Sequence, residues 1–332
     1  MSKPGRRGIA PAIGLFFIAP LVAEFLLGDI PIKMLGVLAI LAPLYGGGAL
    51  LIREVVRRSG RGWPSIFVLA LAYAVFEEAF TTQTLFNPDY LHLNLHLLQP
   101  AYIPALGIGV WWTIFVLTLH TVWSISVSIA LVEALVPDRA TKPWLGWIGL
   151  TVISVLFILS AVASTAHEIK QDHFIASGAQ FIAAAIICVL TIIAAFHLPT
   201  KQATSTPGWI PSPWLAGAAA LIAGSIFLIV PRAWGWLAVG IYVVMDLALI
   251  AGISALSHRD GWNALHRLAL AAGAALAYAW HAFIQMPAVG SAGTSFRIGN
   301  AVFAAALILL LIVAARRTAA SLSAAQTSAI AP

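Results

Sequence analysis

Ten apolar runs divide this chain almost end to end, near residues 8–28, 34–53, 63–86, 107–136, 144–166, 173–198, 213–231, 235–257, 261–286 and 297–315. Most approach or exceed the roughly 20 residues that a helix needs to cross a bilayer. Lipid offers nothing to hydrogen-bond a free backbone, so a spanning segment must be a helix or part of a closed barrel. These runs are far longer than the about 9 to 11 residues of a barrel strand. The expected fold is therefore all-α, a polytopic transmembrane bundle of about ten spans. Composition agrees: 61% of the 332 residues are hydrophobic and only 9% are charged, against about 25% charged in soluble domains.

The net charge of +6 could suggest nucleic acid, but its distribution points elsewhere. With the N-terminus placed in the cytoplasm, fourteen of the eighteen Lys and Arg residues fall in inside segments. That is the positive-inside bias of a ten-span protein with both termini cytoplasmic. The partner it implies is a lipid bilayer, here a bacterial cytoplasmic membrane, and no nucleic acid. The first apolar run follows Lys-Pro-Gly-Arg-Arg but is too long for a signal-peptide core and carries Glu24, so it reads as a retained helix. The single cysteine, Cys188, excludes an intrachain disulfide and a thiolate zinc cluster.

Residues 1–198 form a six-span region, 199–213 a cytoplasmic linker rich in Pro, Ser and Thr, 214–318 a four-span region and 319–332 a disordered tail. Pro43 and Gly46-Gly47-Gly48 interrupt the second span, marking a bend or a close helix approach. Arg53, Arg57 and Arg58 follow and read as an interfacial anchor, with Glu54 and Arg58 spaced to pair. The outer loop 87–105 carries His92, Asn94 and His96 in an alternating pattern, which fits a solvated ribbon better than a metal site.

Glu77 and Glu78 stand in the middle of the third run. An ionised carboxylate there costs at least about 2.5 to 3.5 kcal/mol, and such residues face a protein interior or a wet cavity. Tyr73, Glu77, Thr81 and Thr84 form a polar stripe at helical spacing, and Thr113, His120, Ser124 and Ser128 form a matching one on the fourth span. Consecutive spans joined by one loop are expected neighbours, so a contact between a glutamate and His120 is expected. Glu24, Asp246 and His281 are further candidates for lining the same cavity. Glu133 reads as a helix-end charge. A buried carboxylate beside a histidine can act as a general base on water, ligate a divalent metal through Glu78 and His120, or relay protons in a transporter.

The Glu77-Glu78 pair in one span and His120 in the next, 42 residues after Glu78, resemble the CAAX-protease and bacteriocin-processing (CPBP) membrane proteins, whose motifs run EExxxR, FxxxH and HxxxN. Thr82 stands at the motif arginine and Val116 at the motif phenylalanine. The resemblance implies an intramembrane peptidase in which Glu77, Glu78 and His120 are catalytic and a membrane-embedded peptide is the substrate, with the cofactor unspecified beyond a divalent metal. The stretch from Tyr45 to Glu54, the glutamate pair and Leu85-Phe-Asn-Pro also resemble uncharacterised bacterial multi-span proteins. Two other classes stay open: a proton- or cation-coupled transporter, and a non-catalytic scaffold or immunity-type protein.

Overall fold

A computed structural model describes residues 8–200 and 205–330. The basic N-terminal flank and linker residues 201–204 lie outside the described residues. Ten helices carry the fold: α1 (Ala10–Leu26), α2 (Ile32–Arg58), α3 (Trp63–Thr81), α4 (Val110–Leu135), α5 (Trp147–Asp172), α6 (Gly178–His197), α7 (Pro213–Ile229), α8 (Trp236–Ser257), α9 (Ala264–His281) and α10 (Thr294–Ile330). Seven of them, α2 to α6, α8 and α10, are long and apolar enough to cross a membrane, while α1 and α7 are shorter apolar helices. Helix α9 is only moderately apolar, in keeping with His266 and Arg267 in its first turns. Strand structure among the described residues is a two-residue pair, Tyr102–Ile103 against Ile108–Gly109.

Helix starts follow local chemistry. Ser212 caps α7 ahead of Pro213, and Asn263 accepts the Leu265 N–H at 2.9 Å to start α9, each satisfying a backbone donor that the first turn leaves orphaned. Pro64 opens α3, where its missing N–H is harmless.

The triple glycine does not interrupt α2, which runs continuously from Leu38 to Arg58. Successive helical residues point about 100° apart, and the three glycines meet three different helices. A side chain at Gly46 would strike the Phe16 backbone of α1, at Gly47 it would press on Phe157 of α5, and at Gly48 it would enter the Tyr73 ring of α3. Close approach on three sides makes α2 the hub of the first six helices.

Helix α4 joins the two parts of the chain. Trp123 stacks on Tyr278 of α9 with ring centroids 4.6 Å apart, and its indole N–H donates to the Ala274 carbonyl at 2.7 Å. Phe115 stacks on Phe227 of α7 at 4.9 Å. Gln285 donates to Asp29 in the α1–α2 turn, and the Asp29 carbonyl accepts from Ala288 N at 3.0 Å.

The segment expected as a disordered tail continues α10 as helix to Ile330. Its Ala-rich composition favours helix, and Thr318 and Ser321 bond the Ala134 carbonyl and Asp138. Arg53 and Arg57 are buried in protein contacts, while Arg58 stays partly exposed. Arg53 and Glu54 are 0% exposed and paired at 2.7 Å, and Glu133 accepts from Arg53 Nε at 3.1 Å and from Arg57 at 2.9 and 2.7 Å. The Arg53 guanidinium lies 3.2 Å from the Trp144 ring centroid and donates to the carbonyls of Ala140 and Lys142 at 2.9 Å. Glu133 is thus the centre of a buried ion network rather than a free helix-end charge. The Glu54–Arg58 pairing is present at 3.5 Å.

Candidate functional site

Glu77, Glu78 and His120 meet inside the bundle, exposed by only 1%, 3% and 5%. His120 Nε2 lies 2.9 Å from Glu78 Oε1, and Nδ1 lies 3.3 Å from Glu77 Oε2 and 3.1 Å from the Ser124 hydroxyl. One imidazole therefore faces both adjacent carboxylates, which a regular α-helix would splay about 100° apart.

The local backbone departs from a regular α-helix here. The turn Glu77–Thr81 is π-helical, with the Thr82 N–H donating to the Glu77 carbonyl at 2.9 Å across five residues. His120 begins a second π segment, His120–Val127, and Glu24 sits in a third, Leu21–Leu26. Such wide turns are rare and concentrate at functional sites. The π segments of α3 and α4 begin at Glu77 and His120, and that of α1 contains Glu24, a regularity absent from hydrophobic periodicity.

The shell is built from both sides. Glu78 accepts from Thr84 and, at 3.3 Å, from Thr82. Thr84 lies beyond the end of α3, so it does not extend the expected stripe. It folds back over Glu78 and itself accepts the Trp112 indole N–H at 2.9 Å. The Tyr45 ring stacks on His120 with centroids 5.8 Å apart, and Tyr73 presents an edge at 6.5 Å. Glu24 joins through Tyr45, whose hydroxyl donates to Glu24 Oε1 at 2.6 Å. Tyr73 Oη, Glu77 Oε2 and Thr81 Oγ1 are buried and lack a hydrogen-bond partner, and buried polar atoms of this kind call for a small polar ligand or water.

Two lining candidates are held elsewhere. Asp246 accepts from Thr118 at 3.0 Å at the α4–α8 seam. His281 ends α9 edge-on to Trp280 at 5.8 Å, its Nδ1 unpartnered. In the loop, His92 pairs with Asp89 at 3.0 Å and His96 with Gln99 at 3.2 Å. No polar stripe marks Tyr45 as part of the site, because the residue that explains it, Glu24, is on another helix. The adjacent glycines were its only local signal.

Glu77, Glu78 and His120 each offer one ligand atom, all within 4.8 Å of one another. Two carboxylates and an imidazole suit a divalent ion, and they equally suit proton transfer to and from a bound water.

An all-α bundle with seven long apolar helices and an ionisable centre buried among them defines an integral, multi-pass membrane protein embedded in a lipid bilayer. Residues 15–331 match the model of an uncharacterized membrane protein family, and the chain belongs to that family. The match supports the multi-span reading and adds nothing to the CAAX-protease resemblance. No curated protein and no solved structure matches the chain.

Proposed function

We propose that this protein is a membrane-embedded hydrolase of the peptidase type, set in a bacterial cytoplasmic membrane with both termini inside, and that Glu77, Glu78 and His120 activate water. The observation that carries this reading is the unequal bonding of the two carboxylates around one imidazole. Glu78 is occupied by Thr82, Thr84 and His120, whereas Glu77 Oε2 meets His120 Nδ1 at 3.3 Å without a hydrogen bond to it. Glu77 is then the general base, and Glu78 orients His120. Glu77 takes a proton from water as the water oxygen bonds to the scissile carbonyl carbon. Protonated His120 gives its proton to the leaving amine nitrogen as the C–N bond breaks, and the proton held by Glu77 returns to His120. General acid–base catalysis of this kind contributes typically about 10²- to 10⁴-fold.

The test is cleavage of a library of membrane peptides by the purified protein in nanodiscs, read by mass spectrometry. Cleavage that disappears in Glu77→Gln supports the reading. Peptides left intact by the wild type, or cleaved equally by the variant, overturn it.

A second reading, proton-coupled transport, draws on the succession Glu24, Tyr45, His120 and Glu78 across four helices. Uptake into proteoliposomes driven by a pH gradient and lost in Glu78→Gln would support it over hydrolysis.

A further inference from the structure

We propose that Tyr45 and Glu24 form a positioning arm for His120: Glu24 fixes the Tyr45 hydroxyl, and the Tyr45 ring holds the imidazole so that one nitrogen faces each glutamate. The terminal torsion of a histidine is soft, so the orientation of this ring has to come from its surroundings. Tyr45 covers one face at 28° between ring planes. Tyr73 meets the ring at 65°. Neither aromatic ring hydrogen-bonds the imidazole, so they constrain where it points and leave both nitrogens to Glu77, Glu78 and Ser124.

Tyr45 in turn needs an anchor, and its 2.6 Å bond to Glu24 has the length of a hydroxyl donating to a carboxylate. Glu24 is set by its own π segment, where its carbonyl accepts the N–H groups of Asp29 at 2.9 Å and Ile30 at 3.3 Å. Gly46 lets α1 press against α2 directly beside Tyr45, bringing the carboxylate to the phenol. The arm thus runs from the α1–α2 turn to the imidazole through two side chains, and Glu24 acts on the site without touching it. Its catalytic consequence rests on the hydrolase reading, while its geometry does not.

Two measurements separate these. ¹⁵N NMR of histidine-labelled protein in nanodiscs, with the His120 signals assigned from their loss in His120→Asn, reports the imidazole directly and needs no activity. Tyr45→Phe keeps the ring and removes the anchor, and Glu24→Leu removes it from the other end. Both are expected to shift or exchange-broaden the His120 signals, while Glu24→Gln, which keeps an acceptor for the phenol, restores the wild-type pattern. In the cleavage assay the first two lower kcat about 10- to 100-fold with KM unchanged, the range for residues that orient a working group. His120 signals unmoved by both Tyr45→Phe and Glu24→Leu overturn the proposal. If Tyr45→Phe fails to fold, the contrast between Glu24→Leu and Glu24→Gln decides it alone. Failure of the hydrolase reading is seen separately, as cleavage that survives Glu77→Gln.

Discussion

His120 Nε2 and Glu78 Oε1 lie 2.9 Å apart, on consecutive helices whose connecting loop is tied to α5 through Asn87, which donates to Asp172 at 2.5 Å. The pair is buried, so removing one member leaves the other without compensation. His120→Ala is expected to destabilise the bundle by about 3 to 5 kcal/mol, read from unfolding in mixed micelles. The double variant His120→Leu/Glu78→Leu should cost less than the sum of its single changes. Additive costs would mean that the two side chains are energetically independent.

Gly46→Ala and Gly48→Ala should each cost about 1 to 3 kcal/mol from overpacking, Gly46 more because its neighbour is the rigid backbone of Phe16 and not a ring that can turn. Gly36→Ala, with open space around it, is the control. Thermal unfolding of the three variants side by side checks the order.

Glu133→Gln leaves Arg53 and Arg57 facing a neutral group in a buried setting. A loss of about 3 to 5 kcal/mol is expected for breaking such a network from one side. Asp138→Asn, at an exposed position nearby, should stay within about 0.5 kcal/mol. Equal effects in a denaturant titration would show that the network contributes nothing.

Reporter fusions after Arg61 and Ala140 should behave as cytoplasmic and fusions within 87–105 as external. Arg61 donates to the Leu198 carbonyl, Arg139 to that of Gly8 and Arg317 to that of Leu135, which gathers basic groups at one end of the bundle. An external signal after Arg61 would reverse the orientation.

The exposed Asp89–His92 pair gives the loop 87–105 a pH response. Its bond to His92 holds Asp89 below the ordinary 3.8, and its bond to Asp89 holds His92 above the ordinary 6.5. The histidine's contribution is complete below 6.5 and fades as pH rises through its raised value. The aspartate's is complete above 3.8 and fades as pH falls through its lowered value. Loop contact is therefore strongest between these limits, and a nitroxide at Leu93 should be least mobile there. In His92→Asn the alkaline change should vanish.

Much of this architecture is written in local pattern. Apolar runs mark the ten helices, and the cost of a carboxylate in lipid singles out Glu77 and Glu78. One connecting loop between α3 and α4 is enough to bring in His120. Pattern fails where a residue's setting is made by distant chain. Arg53 and Arg57 have the sequence look of an interfacial anchor because the groups that bury them, Glu133 and Trp144, are contributed by α4 and the segment after it. Asp246 and His281 show the converse: their polarity inside apolar runs drew attention, but helix rotation gives Asp246 to Thr118 and leaves His281 at a helix end. The π turns at Glu77–Thr81 and His120–Val127 have no composition signature, so they are visible only in the backbone.

Trp123 finds its backbone acceptor on α9, and this sets an order of events during synthesis. A chain emerges and enters the membrane from its N-terminus, so α3 and α4 can form the Glu78–His120 pair while α9 is still unmade. Until Ala274 arrives, the indole N–H three residues from His120 must find water, lipid headgroup or a chaperone. Glu77, Glu78 and His120 can thus come together before the last four helices are made, and none of the three is contributed by those helices.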